Sequence, residues 1–376
     1  MKPTLQRVYV SGTGRFLPNA PIRNDQIEDL LGRLTDAPTR VMGFMKNVGP
    51  RMLESSGIES RHFAIDPETH RLTHTVASLG EVAARRALEV AGRNPEDIDL
   101  VLLSSPNYDQ STPPTSTLLQ ERLGIEHCAE MEIHSNCSGV GKSVQIAYDA
   151  LRLGRYKRAL VVICQLSSVY LRSCYFKQEA MGKTAAALRY ILADGAGAMV
   201  LEAAPADSQE HLPLEVLGTY VESRGGKMPP AMTAGGGVAD LVEPRSPSVE
   251  CYERGMHHLN QDFAAVSRYA GPYVLDGILR MLETLDIDSS TVAHYIASIP
   301  TMQLYRANEE QIQTRLRIPL ERMKFRAANT GYCGGASILL HFDEMVRDGE
   351  IGPDQTVVLH SVESSKWMTA GFVVRG

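Results

Sequence analysis

The sequence predicts an α/β fold in which short buried strands alternate with longer helices. Six runs rich in apolar and β-branched residues have the length of buried strands, and they span residues 7–12, 99–105, 158–165, 197–204, 294–300 and 356–362. Three intervening stretches carry apolar residues at helical spacing, and they span residues 72–92, 138–156 and 273–287. Such alternation is typical of α/β layers whose strands run largely parallel.

Length and composition limit the class of protein. The chain has 376 residues, of which 43% are hydrophobic and 22% charged, and this favours a soluble globular protein with two domains or a duplicated fold. The formal net charge is -6 without a Lys/Arg-rich run, so we expect no nucleic-acid partner. No apolar run is long enough to span a bilayer. Six scattered cysteines without a CxxC pair indicate a reducing, cytoplasmic environment and no structural zinc site.

The stretch "HSNCSGVGKS" (residues 134–143) places Cys137 between a strand-like segment and a predicted helix. The start of a helix favours a thiolate, because its free N–H groups and positive dipole end stabilise negative charge. Gly139 and Gly141 would let an acyl group approach the backbone, and the Cys137 N–H can point at an oxyanion. A buried structural cysteine is the alternative for most cysteines. The small and polar neighbours favour a nucleophile here.

A short internal repeat predicts that the fold is duplicated. "NCSGVGKSVQIAYDAL" (residues 136–151) has a counterpart in "YCGGASILLHFDEM" (residues 332–345), and both place a cysteine and small residues at a helix start. We therefore expect an N-terminal half over residues 1–210 and a C-terminal half over residues 211–376. Residues 225–248 are rich in Gly and Pro and are predicted to form a long functional or mobile loop.

Four motifs together resemble the β-ketoacyl-[acyl-carrier-protein] synthase III family. They are "SNCSG" (135–139), "LADGAGAMVLEAA" (192–204), "GIESRHFAID" (57–66) and "TGYCGGAS" (330–337), and their order and spacing extend over nearly the whole chain. The resemblance implies a thiolase fold, with two βαβαβαββ halves in a five-layered α-β-α-β-α core and usually a homodimer. It also implies an acyl group delivered to Cys137 by coenzyme A or an acyl carrier protein, with no metal and no other cofactor.

The chain departs from the family at the residues that assist malonyl decarboxylation. Family members pair the cysteine with a histidine and an asparagine, and alignment on Arg306 puts Thr301 at the histidine position. Tyr332 falls at the asparagine position, or Asn329 if the loop register shifts by three residues. A threonine cannot carry the charge of an imidazolium, and a tyrosine has an ordinary pKa of about 10. Malonyl decarboxylation is therefore disfavoured.

The family's second oxyanion amide comes from a loop that here reads "HSVESSKWMTAGF" (residues 360–372). A backbone N–H near Glu363 or Ser364 would take that role. Glu363 is a candidate acid or base if the loop turns it inward, and otherwise a solvated carboxylate. Arg306 matches the family arginine that contacts pantetheine or the carrier at the tunnel mouth.

Two other residues near these motifs are assigned packing roles. His134 is expected to be a core histidine that points away from the site. Cys333 is expected to be a small packing residue, unless it lies across the pocket from Cys137.

These features favour an acyltransferase or ketosynthase of polyketide or alkylresorcinol-type biosynthesis. It would form an acyl-S-Cys137 intermediate and condense it with a second acyl unit, for which a β-ketoacyl thioester is suited by its more acidic carbon. One alternative is acyl transfer to an oxygen or nitrogen nucleophile. Another is a non-catalytic partner subunit, although the retained cysteine motif argues against it.

Overall fold

The computed structural model describes residues 5–205, 214–241 and 247–376. The expected boundary between residues 210 and 211 lies outside this described part. The strands of the described part are β1 (Arg7–Phe16), β2 (Ile22–Arg23), β3 (Ser60–Arg61), β4 (Leu100–Ser105), β5 (Ala129–His134), β6 (Arg158–Leu166), β7 (Asp194–Ala204), β8 (Leu214–Ser223), β9 (Met232–Thr233), β10 (Asn260–Gln261), β11 (His294–Ala297), β12 (Thr356–Glu363) and β13 (Met368–Arg375).

The helices of the described part range from one turn to six turns. They are α1 (Ile27–Leu31), α2 (Thr39–Asn47), α3 (Gly49–Ser56), α4 (Val76–Ala91), α5 (Thr115–Leu123), α6 (Gly139–Arg152), α7 (Ser168–Leu171), α8 (Lys183–Leu188), α9 (Pro247–Glu253), α10 (Phe263–Thr284), α11 (Met302–Arg306), α12 (Glu309–Leu316) and α13 (Ala336–Arg347). None of the described helices has both the length and the apolar character that a membrane span requires.

Nine strands form one hydrogen-bonded series in the order β11-β12-β13-β8-β1-β7-β6-β4-β5. β4 pairs in parallel with β5 and β6, and β11 pairs in parallel with β12. The remaining neighbours in the series are antiparallel. The expectation of largely parallel strands was therefore wrong. β12 and β13, for example, are joined only by residues 364–367 (the hairpin turn), a connection too short for a parallel crossover.

Two helices lie between the strands of the two halves and form the central layer. α6 packs on β4 and β6 of the first half and on β8 and β13 of the second, while α13 packs on β1, β7 and β11. Their buried apolar faces share one core with strands from both halves. α4 and α5 cover the outer face of the first half, and α10 and α12 cover that of the second. This arrangement confirms the five-layered α-β-α-β-α core.

The six runs predicted as strands and the three predicted as helices are present, with shifted ends. Pattern reading missed β8 and β13, whose apolar residues are interrupted by glycine, threonine and charged residues. The predicted loop over residues 225–248 contains β9 and the beginning of α9, while residues 242–246 lie outside the described part.

The central layer tolerates no side chain at Gly141 of α6. A Cβ atom built there would lie 2.6 Å from the Ala370 Cβ and 2.6 Å from the Gly371 N of β13. Gly43, inside the half-buried helix α2, has no atom within 4 Å of the corresponding position. The two glycines therefore serve as test and control for close packing between the halves.

We expect Gly141→Ala to destabilise the protein by about 1–3 kcal/mol, because the added methyl group overpacks the contact with β13. Gly43→Ala should instead stabilise the protein by roughly 0.5–1 kcal/mol, because alanine is the better helix former. Thermal unfolding of both variants checks this. Equal midpoints for Gly141→Ala and wild type would contradict the close contact.

Candidate active site

Cys137 lies in the turn between β5 and α6, and residues 135–138 are called the cysteine turn below. The turn opens into a cavity of about 570 Å³ that Cys137 lines. The sequence suggested that Gly139 and Gly141 let a ligand approach the backbone near Cys137. That expectation was wrong, because both glycines face other parts of the protein. A Cβ at Gly139 would meet the Ser104 Oγ at 2.1 Å, and Gly141 faces β13. Both glycines therefore let α6 pack closely against its neighbours.

Tyr332 is the partner of the cysteine. Its hydroxyl lies 2.9 Å from the Cys137 Sγ and 2.6 Å from the Ser298 Oγ. Tyr332 precedes α13 and Ser298 follows β11, so the second half of the chain supplies both hydroxyls. Asn329, the alternative for this position, is exposed and does not line the cavity. Sequence reasoning missed Ser298, which lies three residues before the position aligned with the family histidine.

The thiol and the phenol are both protonated at neutral pH. Burial raises the pKa of Cys137 to about 11, although the hydrogen bond with Tyr332 opposes the shift. Burial also raises the pKa of Tyr332 well above its ordinary value, and the neighbouring Cys137 adds to this. The phenol therefore stays a hydrogen-bond donor, and the thiol would have to lose its proton to act as a nucleophile.

Glu363 turns inward at the end of β12 and is 3% exposed. Its Oε2 accepts hydrogen bonds from the Ser135 Oγ at 2.7 Å, the Ser138 N at 3.1 Å and the Ser138 Oγ at 2.6 Å. Its Oε1 accepts one from the Ser365 Oγ. Burial raises the pKa of Glu363, but the bonds from Ser138, Ser365 and Ser135 and the charge of Lys142 outweigh it and hold that pKa below its usual value. The carboxylate is therefore ionised.

Thr301 and Ser364 both line the cavity. The Thr301 Oγ1 accepts a hydrogen bond from the Leu304 N at 3.2 Å and so caps the start of α11. The backbone N–H groups of Ser364 and Cys137 donate to no other residue of the described part. These two amides are thus available to a ligand, and the Thr301 hydroxyl hydrogen is too, because the cap uses only a lone pair of the Thr301 oxygen.

Arg306 ends α11 and is exposed, and it is not among the residues that line the cavity.

His134 lines the cavity and is exposed, so the expectation of a core histidine was wrong. The strand that carries it, β5, is the last strand of the series. Cys333 is fully buried and a Cβ at Gly195 would lie 3.2 Å from its Sγ, so it packs in the core rather than across the cavity.

The cavity wall is mostly apolar and comes from both halves of the chain. The first half contributes Leu188, Ile191 and Leu192, and the second contributes Ala270, Val274, Leu275, Ile299, Leu304, Ile312 and Met323. A cavity of this size and character suits an aliphatic or acyl ligand with a few polar anchors. The described residues include no cluster of three or more His, Cys, Asp or Glu side chains that could hold a metal ion.

Two family models match the chain in the regions that carry the site. The model of 3-oxoacyl-[acyl-carrier-protein (ACP)] synthase III matches residues 131–220, and the model of its C-terminal part matches residues 283–371. The beta-ketoacyl-[acyl-carrier-protein] synthase III of Methylococcus capsulatus is 28% identical over 357 residues, which are 94% of each chain.

Solved structures share the fold at lower identity. A tetronic acid condensing enzyme superimposes with a TM-score of 0.77 at 22% identity, covering 98% of this chain and 100% of that one. A priming β-ketosynthase of a polyketide biosynthetic pathway gives a TM-score of 0.77 at 21% identity, covering 100% of this chain and 98% of the other. These structures show the shared fold, and the two family models and the curated relative carry the conclusion about family: the chain belongs to the 3-oxoacyl-[acyl-carrier-protein] synthase III-like family of acyltransferases.

Proposed function

We propose that the protein loads an acyl group onto Cys137 from an acyl thioester and condenses it with a second acyl unit in polyketide or alkylresorcinol-type biosynthesis. The observation that carries this proposal is the pair of Cys137 and Tyr332, 2.9 Å apart in a cavity with an apolar wall. The pair supplies a nucleophile and a hydrogen-bond donor, and the wall suits an acyl chain.

In the first step the Cys137 sulfur attacks the thioester carbonyl. The bond between that carbon and the carrier sulfur breaks, and the thiol proton leaves with the carrier thiol. The free N–H groups of Cys137 and Ser364 are the candidate donors to the oxyanion that forms between attack and release. Coenzyme A or an acyl carrier protein would deliver the acyl group, and Arg306 on the outer surface is our candidate contact for the carrier.

In the second step the Tyr332 hydroxyl becomes free to bond the acceptor, because Cys137 is then a thioester. The acceptor carbon loses its α-proton and attacks the Cys137 thioester carbonyl, the bond between that carbonyl carbon and Sγ breaks, and the proton ends on the released thiol. The phenol and the Ser298 hydroxyl next to it are neutral donors for the enolate oxygen that forms on the acceptor. Neutral donors stabilise an enolate less than an imidazolium does, so an acceptor with an acidic carbon, such as a β-ketoacyl thioester, fits best. Thr301 can donate its hydroxyl hydrogen as well, because capping α11 uses only a lone pair of its oxygen.

We also propose a cytoplasmic homodimer whose halves are divided near residues 210–211. All six cysteines are free, which suits a reducing compartment. The outer edge of β5 carries the exposed Met131 and lies at the end of the strand series, where a second copy of the chain would pair with it.

Cys137→Ala should abolish covalent loading, because no other thiol pairs with Tyr332. Intact mass spectrometry after incubation with acyl-coenzyme A and acyl-carrier thioesters checks this, and wild type should gain one acyl group. The exposed Cys174 is the matched site, so Cys174→Ala should load as wild type does. No adduct on wild type from any donor would contradict the proposal and favour the non-catalytic partner subunit.

Tyr332→Phe should lower the condensation rate by about 10²- to 10³-fold, because it removes one hydrogen-bond donor to a developing oxyanion. Tyr295→Phe is the matched control, since its buried hydroxyl donates to the Ser289 carbonyl away from the cavity. Product formation by chromatography, with carbon, oxygen and nitrogen acceptors offered in parallel, measures the effect. If Tyr332→Phe lowers turnover only with oxygen or nitrogen acceptors, the result would contradict condensation and favour simple acyl transfer.

Ala270→Leu should shift the preferred chain to a shorter one, because the added carbons extend into the cavity from α10. The ratio of long-chain to short-chain turnover should fall by about tenfold. Ala264→Leu, exposed on the same helix, should leave the ratio unchanged. Competition within a series of straight-chain acyl thioesters gives the ratio. Identical chain-length preferences for both variants would show that α10 does not contact the acyl chain.

A further inference from the structure

A polar cluster surrounds Glu363, which lines the cavity near the thiol. This group of five residues is called the Glu363 cluster below, and its members are Glu363, Ser135, Ser138, Ser365 and Lys142. Lys142 donates to the Ser135 Oγ at 2.9 Å, and Ser135 in turn donates to the Glu363 Oε2. Together with the bonds from Ser138 and Ser365, the carboxylate has four donors from described residues.

A carboxylate with four donors makes a poor base. Its lone pairs are occupied, and its pKa lies below the usual value, so it has little tendency to take a proton at neutral pH. The charge of Glu363 also raises the pKa of Cys137, which opposes thiolate formation. A residue selected to activate the thiol would act in the other direction.

The position of the cluster indicates what it does instead. It joins the cysteine turn of the first half to the end of β12 in the second half, and Ser361 adds a bond from its hydroxyl to the Cys137 carbonyl at 2.7 Å. Ser138 and Glu363 are hydrogen-bonded to each other, and each is next in sequence to a residue with a free backbone N–H group. Ser138 follows Cys137, and Ser364 follows Glu363.

We infer that Glu363 is a positioning residue that holds the Cys137 and Ser364 amides in place as one oxyanion site. The carboxylate fixes the Ser138 end of the cysteine turn and the Ser365 side of the hairpin turn at the same time. Lys142 orients Ser135 and partly balances the buried charge. This inference rests on the proposed acyl transfer for its catalytic meaning, but the bonding across the two halves is independent of it.

Glu363→Gln separates positioning from base catalysis, because it has opposite effects on two reactions of one thiol. Alkylation of Cys137 by iodoacetamide needs a thiolate but no oxyanion site. It should become faster, by between two- and about tenfold at a pH below the thiol pKa, since one pKa unit changes the thiolate about tenfold. Loading of Cys137 from an acyl thioester should become slower by about 100-fold, the size of a lost oxyanion donor.

Controls in the same molecule and on its surface accompany the variant. The exposed Cys174 provides an internal reference for alkylation, which peptide mass mapping reads separately from Cys137. Glu321→Gln removes one exposed carboxylate that does not line the cavity and should leave both rates unchanged. If Glu363→Gln fails to fold, Ser138→Ala and Ser365→Ala remove one donor each and should lower loading by smaller factors.

Other outcomes overturn the inference. Parallel loss of alkylation and loading would make Glu363 an activating base, and unchanged loading would deny it any positioning role. Amide hydrogen exchange tests the bonded connection between the halves independently of the proposed acyl transfer. Peptides over residues 134–141 and 361–370 should exchange faster in Glu363→Gln even if wild type accepts no acyl donor, and unchanged exchange would remove the bonded connection.

Discussion

The close approach of the two halves at the central helices is the constraint on which the rest of the structure depends. α6 lies against β13 at Gly141, and α13 lies against β7 at Gly197, where a Cβ would come within 2.4 Å of the Leu339 Cβ. Larger residues at either glycine would push the layers apart. Because both helices begin at the cavity, this spacing also sets the distance between the residues that precede them, Cys137 and Tyr332.

Motif and pattern predicted the fold and the central pair of the site. Cys137 followed from its place at a helix start, and Tyr332 followed from the alignment of the second half on Arg306. The long apolar runs predicted the buried strands, because burial on both faces needs continuous hydrophobic sequence. The sequence left the register open between Tyr332 and Asn329, and the 2.9 Å contact with the thiol supports Tyr332.

The remaining features depend on contacts between distant segments, which no local pattern contains. Ser298 reaches Tyr332 across 34 residues, and Glu363 reaches Ser138 across 225. Glu363 was ambiguous between a solvated and an inward carboxylate, because its environment is made by the other half of the chain. Strand direction was misjudged for a different reason, because β13 was not recognised as a strand and its antiparallel return beside β12 was therefore missed.

The site places a protonated thiol close to a buried negative charge. Burial keeps the Cys137 proton in place, and the hydroxyls of Tyr332 and Ser298 donate without carrying charge. The imidazole of His360, on the same strand as Glu363, has no hydrogen-bond partner among the described residues, and burial lowers its pKa to about 3. His360 is not among the cavity-lining residues, and the group that brings negative charge close to the thiol is the Glu363 carboxylate.

Division of the site between the halves has a consequence for how the protein is made. A ribosome releases the N-terminal half first, and with it the cysteine turn. Tyr332, Ser298, Glu363 and Ser364 emerge later and reach Cys137 only when the second half docks on α6. A nascent or half-folded chain thus carries the thiol without the hydroxyls, the carboxylate and the amide that surround it in the folded protein.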